Sequence, residues 1–229
     1  MGDVQTGKTY GPLLLLLSLL TLVTGFVDAV SFLKYGHVFV ANMTGNVVFL
    51  GFAIAGAPGI SISGSLIALA AFLCGAVLGG RLGLRFASHR ANLISVATSI
   101  KFVLIVVAAI AAAAVPSQAF AVLAPLGISM GIQNAMARRL AMPDLTTTVL
   151  TLTITGIAAD SSLAGGTNPR LARRIGSVLT MFVGAFLGGW IVLHTNVTDA
   201  LSIAAAIVAV AGILAYITGR NAPAWVRPD

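Results

Sequence analysis

The chain has 229 residues, 58% of them hydrophobic and 8% charged, with a mean hydropathy of +1.02; a soluble domain carries roughly a quarter charged residues, so an integral membrane protein is expected and a water-soluble fold excluded. The net charge of +7 is no nucleic-acid signature, because the arginines sit in short clusters between apolar spans, as cytoplasmic loops do under the positive-inside rule. The lone Cys74 has no partner for an intramolecular disulfide and is expected to be a small buried hydrophobe.

Lys8 and the apolar run Leu13 to Val23 resemble a secretory leader, but apolar character continues to Leu33. The stretch from Pro12 is then about 22 residues, enough for a first span. Along it Thr21, Thr24, Asp28, Ser31 and Tyr35 fall at offsets of 3, 7, 10 and 14, which predicts one polar helical face. A short segment follows from Val38 to about Gly56, where Asn42, Thr44 and Asn46 interrupt an apolar run and Ala57-Pro58-Gly59 ends it. Span three, about Ile60 to Leu84, carries Gly75, Gly79 and Gly83 at four-residue spacing, a seam for close helix approach. The cluster Arg81, Arg85, His89 and Arg90 closes it.

Span four, about Leu93 to Val115, is alanine-rich and contains Lys101, whose long stem is expected to carry its ammonium to the interface, although Asp28 could pair with it. Span five, about Gln118 to Ala137, ends in Gln133, Asn134, Arg138 and Arg139. A second short polar segment follows from Met142 to about Ala159, with Pro143 suited to a helix start and Asp144, Thr148, Thr151 and Thr155 on one face. Gly165, Gly166, Arg170, Arg173 and Arg174 lead to span seven, about Ile175 to Leu193, and span eight runs from about Asp199 to Gly219.

Three strings recur in the same order. GFVDA from Gly25 matches GIQNA from Gly131, NMTGNV from Asn42 matches DLTTTV from Asp144, and GAVLGG from Gly75 matches GAFLGG from Gly184, at displacements of 106, 102 and 109. They predict a duplicated unit, one copy over about 12–115 and the other over about 117–219, within a single transmembrane domain.

Charge placement chooses the topology. Eight full spans would put six basic residues on each side of the membrane, which is no bias. If the two short polar segments are discontinuous or re-entrant, eleven basic residues are cytoplasmic, with Lys34 alone outside and Lys101 within a span. The expectation is therefore an all-α membrane protein of six crossing helices and two short polar segments, its two repeats inverted, with both termini cytoplasmic; eight full spans is the alternative. Non-crossing backbone at membrane depth is tolerated only where it lines a cavity or is buried in protein, so the two short segments should converge on a site.

GFVDAVSFL, FVANMTGNVVFLG and GAVLGGRL together resemble the YoaK-like family over nearly the whole chain, with Asp28 and the Asn42–Asn46 motif as the most specific part. The resemblance implies a multi-pass protein of the bacterial inner membrane. It brings no substrate and no catalytic residue.

The site residues expected on physical grounds are Asp28, Asn42, Thr44, Asn46, Gln133, Asn134, Asp144, Thr146 and Thr148. A carboxylate within a span costs roughly 2.5–3.5 kcal/mol on insertion scales, so it normally faces a cavity or partner. The amides and hydroxyls can line a binding site or hold helices together; Thr146, Thr147 and Thr148 can also bond back to their own helix, and Asp144 can cap one. No protease, hydrolase or P-loop motif is present, and His37, His89 and His194 fall at span ends. Neither enzyme, cofactor, metal nor nucleic-acid partner is expected. The expected function is secondary transport of a small polar or anionic solute, proton-coupled through Asp28, with a passive channel and a non-transporting scaffold as alternatives. Lipid and the solute are the expected partners, and a homodimer could use the glycine seams, which could equally be consumed inside one protomer.

Overall fold

The computed structural model describes residues 2–140, 150–221 and 226, and the described chain is all helix and connecting loop, without a strand. The helices are α1 (Gly2–Lys34), α2 (Met43–Ile54), α3 (Ile62–Arg85), α4 (Arg90–Ala114), α5 (Ala119–Leu140), α6 (Leu150–Ala159), α7 (Leu171–His194) and α8 (Val197–Asn221). Six of them are long and apolar enough to cross a membrane: α1 from Gly11, α3, α4, α5, α7 and α8 to Arg220. The 12-residue α2 and 10-residue α6 reach only about 18 Å and 15 Å, short of a hydrocarbon core of about 30 Å.

Span ends shift from the sequence expectation by a few residues because caps, which hydropathy ignores, set them. Ser61 Oγ accepts from Gly64 N at 3.0 Å to start α3, and His89 Nδ1 accepts from Asn92 N at 3.2 Å to start α4. The larger difference is in the second segment. Its first part, Val38–Asn42, is not helical, and the helix begins only where Asn42 Oδ1 accepts from Gly45 N at 3.3 Å.

The chain enters and leaves this segment at one place. Gly36 O accepts from Ser61 N at 3.0 Å, and His37 Nδ1 meets Gly59 O at 2.7 Å. The end of α1 and the start of α3 therefore lie at the same level, and α2 between them does not cross. Gly36 makes the closure feasible twice over: its φ is +79°, and a side chain there would sit 2.7 Å from Ser61 Cβ.

Packing is organised around α1 and α5, whose spans are 67% and 56% buried, against 28% for both α3 and α7. An inner helix must be apolar nearly all round. Accordingly α1 buries Leu13, Leu16, Leu17, Leu20, Phe26 and Val30 as well as the whole predicted polar face. The outer helices dock through glycine. Gly184 of α7 lies on the Leu22 carbonyl of α1 while Gly25 faces Ala185 N; in the same manner Gly75 of α3 lies on the Ile128 carbonyl of α5 while Gly131 faces Ala76 N. Any Cβ at these four positions would overlap backbone, so both seams expected from the sequence are consumed within the chain. Cys74 is a correction: it is exposed, because the buried stripe of α3 is the row Ala68, Ala71, Gly75, Gly79 and Gly83, and Cys74 points away from it.

Candidate functional site

The site is built where the non-helical leg Val38–Asn42 runs alongside α1. Asp28 lies six residues before the end of α1, about 9 Å below it. Its Oδ1 accepts from both Val40 N at 2.9 Å and Ala41 N at 2.8 Å. Asn46, buried in the second turn of α2, holds the same leg from its other side: its Oδ1 accepts from Phe39 N at 2.8 Å and its Nδ2 donates to Phe39 O at 2.5 Å. Two side chains thus replace the backbone partners that an unwound segment at membrane depth would lack. Phe32, Phe39 and Phe49 close the outer side, with Phe32 stacked on Phe39 at 4.8 Å between centroids.

A cleft of about 300 Å³ opens beside this clasp, lined by Asp28, Phe32, Phe39, Asn42, Met181 and Ala185 among others. The Asn42 side chain is exposed and lies on its wall while capping α2. Thr44 is exposed on the first turn of α2. A second cleft, of about 460 Å³ and almost wholly apolar, separates α4 from α8 near Ile110 and Ser202 and brings no charged group.

The second part of the site joins the expected Gln133 to Lys101, which departs from the sequence expectation. Lys101 does not extend to the interface; it is 2% exposed, and its Nζ donates to Oε1 of Gln133 on α5. The geometry of α4 explains this, since Lys101 is about 16 Å from the nearer helix end, farther than its stem can carry the ammonium. Gln133, also 2% exposed, donates through Nε2 to Thr24 Oγ1 at 2.8 Å and to Leu20 O at 3.5 Å. Thr24 in turn donates to Leu20 O at 2.9 Å. The connected set Lys101, Gln133 and Thr24 spans three helices and ends one turn from Asp28. Lys101 and Asp28 lie in electrostatic range of each other, but no ion pair joins them.

The structure thus brings Asp28, Asn42, Asn46 and Gln133 into one region and adds Lys101 and Thr24. The sign that could have revealed Lys101 was its distance from both ends of its span. Asn134, part-buried on α5, donates to Met130 O at 2.9 Å. Asp144, Thr146 and Thr148 lie outside the described residues. Arg174, expected only as a loop charge, is also buried: its Nη1 donates to Gly156 O at 2.5 Å and pairs with Asp160 Oδ2 at 2.7 Å, tying the end of α6 to α7.

Residues 16–214 match the family described as DUF1275, protein of unknown function. The chain is also 38% identical over 151 residues to the UPF0700 transmembrane protein YoaK of Bacillus subtilis (strain 168). That alignment covers 64% of this chain and 66% of the relative, so the chain spans just under two thirds of the relative's length. No solved structure matches. With six apolar helices of crossing length, a family match over most of its length and a transmembrane relative, this membrane protein belongs to the DUF1275 family.

Proposed function

We propose that the protein is a secondary transporter of a small polar or anionic solute, proton-coupled through Asp28. The observation that carries the proposal is the acid–base pair Asp28 on α1 and Lys101 on α4, buried among apolar helices within electrostatic range yet not joined. Ionisable groups at such depth are costly and mark solute, ion or proton paths. Asp28 is also the clasp of the non-crossing leg, so a proton arriving there would weaken its two hydrogen bonds and change the geometry of the cleft wall.

The duplication supports the same reading. Helix pairings occur in matching sets: α1 with α7 and α5 with α3, α1 with α8 and α5 with α4, α2 with α3 and α6 with α7. Two inverted halves, each contributing one short segment, would give the alternating-access geometry of several transporter folds. Cytoplasmic termini and the bacterial inner membrane are part of this proposal, resting on the arginine distribution.

One observation favours a non-transporting scaffold instead: Asp28 Oδ1 and both amide groups of Asn46 are engaged by the chain's own backbone. Uptake into proteoliposomes, with and without a pH gradient, separates the readings. The transporter reading expects saturable uptake of a small polar or anionic solute that responds to the gradient and loses that response in Asp28→Asn, which keeps an oxygen acceptor for Val40 and Ala41. Gradient-insensitive flux in the wild type points to a channel. Lowered thermal stability in Asp28→Ala and Asn46→Ala without flux of any solute points to the scaffold.

A further inference from the structure

We infer that the solute is a small monovalent anion seated against Lys101, and that it crosses together with one proton on Asp28 in an electroneutral cycle; the inference rests on the transport reading above. The argument starts from the hydrogen bonds of Lys101. An ammonium has three N–H donors, and one of them is engaged, by Gln133 Oε1. Gln133 cannot turn to offer more, because its Nε2 is held by Thr24 Oγ1 and Leu20 O. Its oxygen is neutral, so it orients the ammonium without cancelling the charge. A buried cation with unfilled donors and no bonded carboxylate is a receptor for an anion.

The charge count then fixes the valence. Among the described residues the other ionic groups of the spans sit towards helix ends: Lys34 on α1, Arg81 and Arg85 on α3, Arg90 on α4, Arg138 and Arg139 on α5, Arg173 and Arg174 on α7, and Asp199 and Arg220 on α8. Among the described residues the interior therefore holds one acidic and one basic group, and the solute-free state is neutral whether both are ionised or neither is. A proton on Asp28 leaves one positive charge, which a monoanion cancels; a neutral solute would leave it bare, and a dianion would overshoot. A monoanion bound beside an ionised Asp28 would leave one buried negative charge. Proton and anion therefore each favour the binding of the other, and the coupling is reciprocal.

Among the described residues nothing else in range of Asp28 disturbs this count. Lys101 from α4 is the charged group that acts on it. The non-helical leg brings the amides of Val40 and Ala41 and the neutral Asn42, α7 brings Met181 and Ala185, and α5 brings Gln133 one turn away. Tyr35 lies on the same face of α1 two turns on, and Asp199, Tyr216 and Arg220 of α8 lie in that helix's end turns.

The test is uptake of lactate, pyruvate and nitrate, each alone, by proteoliposomes of the full chain under an inward proton gradient, with glycerol and urea as neutral counterparts. Potassium and valinomycin set the membrane potential independently. Expected is accumulation of at least one anion, unchanged when the potential is shifted by 100 mV; one net charge per cycle would change the accumulation ratio about 50-fold. Lys101→Met should lower anion uptake by at least about 30-fold, the scale for truncating one member of a buried charge pair, in protein that stays monodisperse in detergent. Because the potential measurement uses wild type, it decides the matter even if the variant fails to fold. Accumulation that follows the potential, or wild-type anion uptake in folded Lys101→Met, overturns the inference. Gradient-driven uptake of glycerol or urea alone overturns it and leaves the transport reading standing. If no anion moves the inference is overturned, and if no neutral probe moves either the transport reading falls with it.

Discussion

Replacing Asn46 by alanine tests the clasp directly. The substitution removes two hydrogen bonds to Phe39, one from its N–H at 2.8 Å and one to its carbonyl at 2.5 Å. A buried backbone group left without a partner costs about 1–3 kcal/mol, and Phe39 is only half-buried, so the lower part of that range applies to each group. The sum is about 2–3 kcal/mol. Because Asp28 still holds Val40 and Ala41, the loss should appear as local opening of the leg rather than global unfolding. At about 1.4 kcal/mol per factor of ten, the opening equilibrium of Phe39 rises roughly 30- to 140-fold. Hydrogen exchange read by mass spectrometry on a peptide covering Val38–Asn42 measures this, with Thr44→Ala, an exposed neighbour on the same helix, as control. Exchange in Asn46→Ala within about threefold of wild type would refute the claim that this side chain supplies the partners of the unwound backbone.

Three other experiments probe the frame. Gly184→Leu should abolish folded, monodisperse protein on size-exclusion chromatography, because its Cβ overlaps the Leu22 carbonyl, whereas Gly80→Ala, with open space around it, should be silent or stabilise the helix by up to about 1 kcal/mol in thermal melts. Arg174→Met removes a buried guanidinium bonded to Gly156 and Asp160, and should cost about 1.5–3 kcal/mol, seen as faster proteolysis or exchange across Leu150–Ala159. In a Cys74→Ala background, single cysteines at His37 and at Gly59 should be labelled from the same side of the membrane; labelling from opposite sides would contradict the closure between Gly36 and Ser61.

The parts of this fold that could be read from the sequence are those fixed by composition and residue spacing. Hydropathy found the six long helices, and the four-residue glycine spacing marked the close-approach seam of α3, because in lipid only small residues let helix backbones approach this closely; the crossing of α1 with α7 showed only as the matching string GAFLGG. The polar face of α1 was equally legible, and all five of its residues are buried. Asn42, Asn46 and Asp28 were visible as exceptions in an apolar chain. Their partners were not, because a side chain bonded to backbone twelve or thirteen residues away leaves no periodic trace. Lys101 is a further exception in an apolar span, and its distance from both ends of that span, beyond the reach of its stem, is what separates it from an interface lysine. Cys74 was assigned from hydrophobicity alone, which in a lipid-facing helix does not separate inside from outside.

The crossing of Gly25 with Gly184 also governs how the molecule can be made. About 160 residues separate the two, so at a synthesis rate of about 5–20 residues per second α1 leaves the ribosome roughly 8–30 s before its glycine-bearing partner exists. For most of that interval Thr24 has no Gln133 of α5 to bond, and the face holding Leu22, Gly25 and Phe26 has no α7 to cover it. A nascent chain in this condition must be sheltered by the insertion machinery or by the re-entrant leg next to it, and that leg emerges within the following twenty residues.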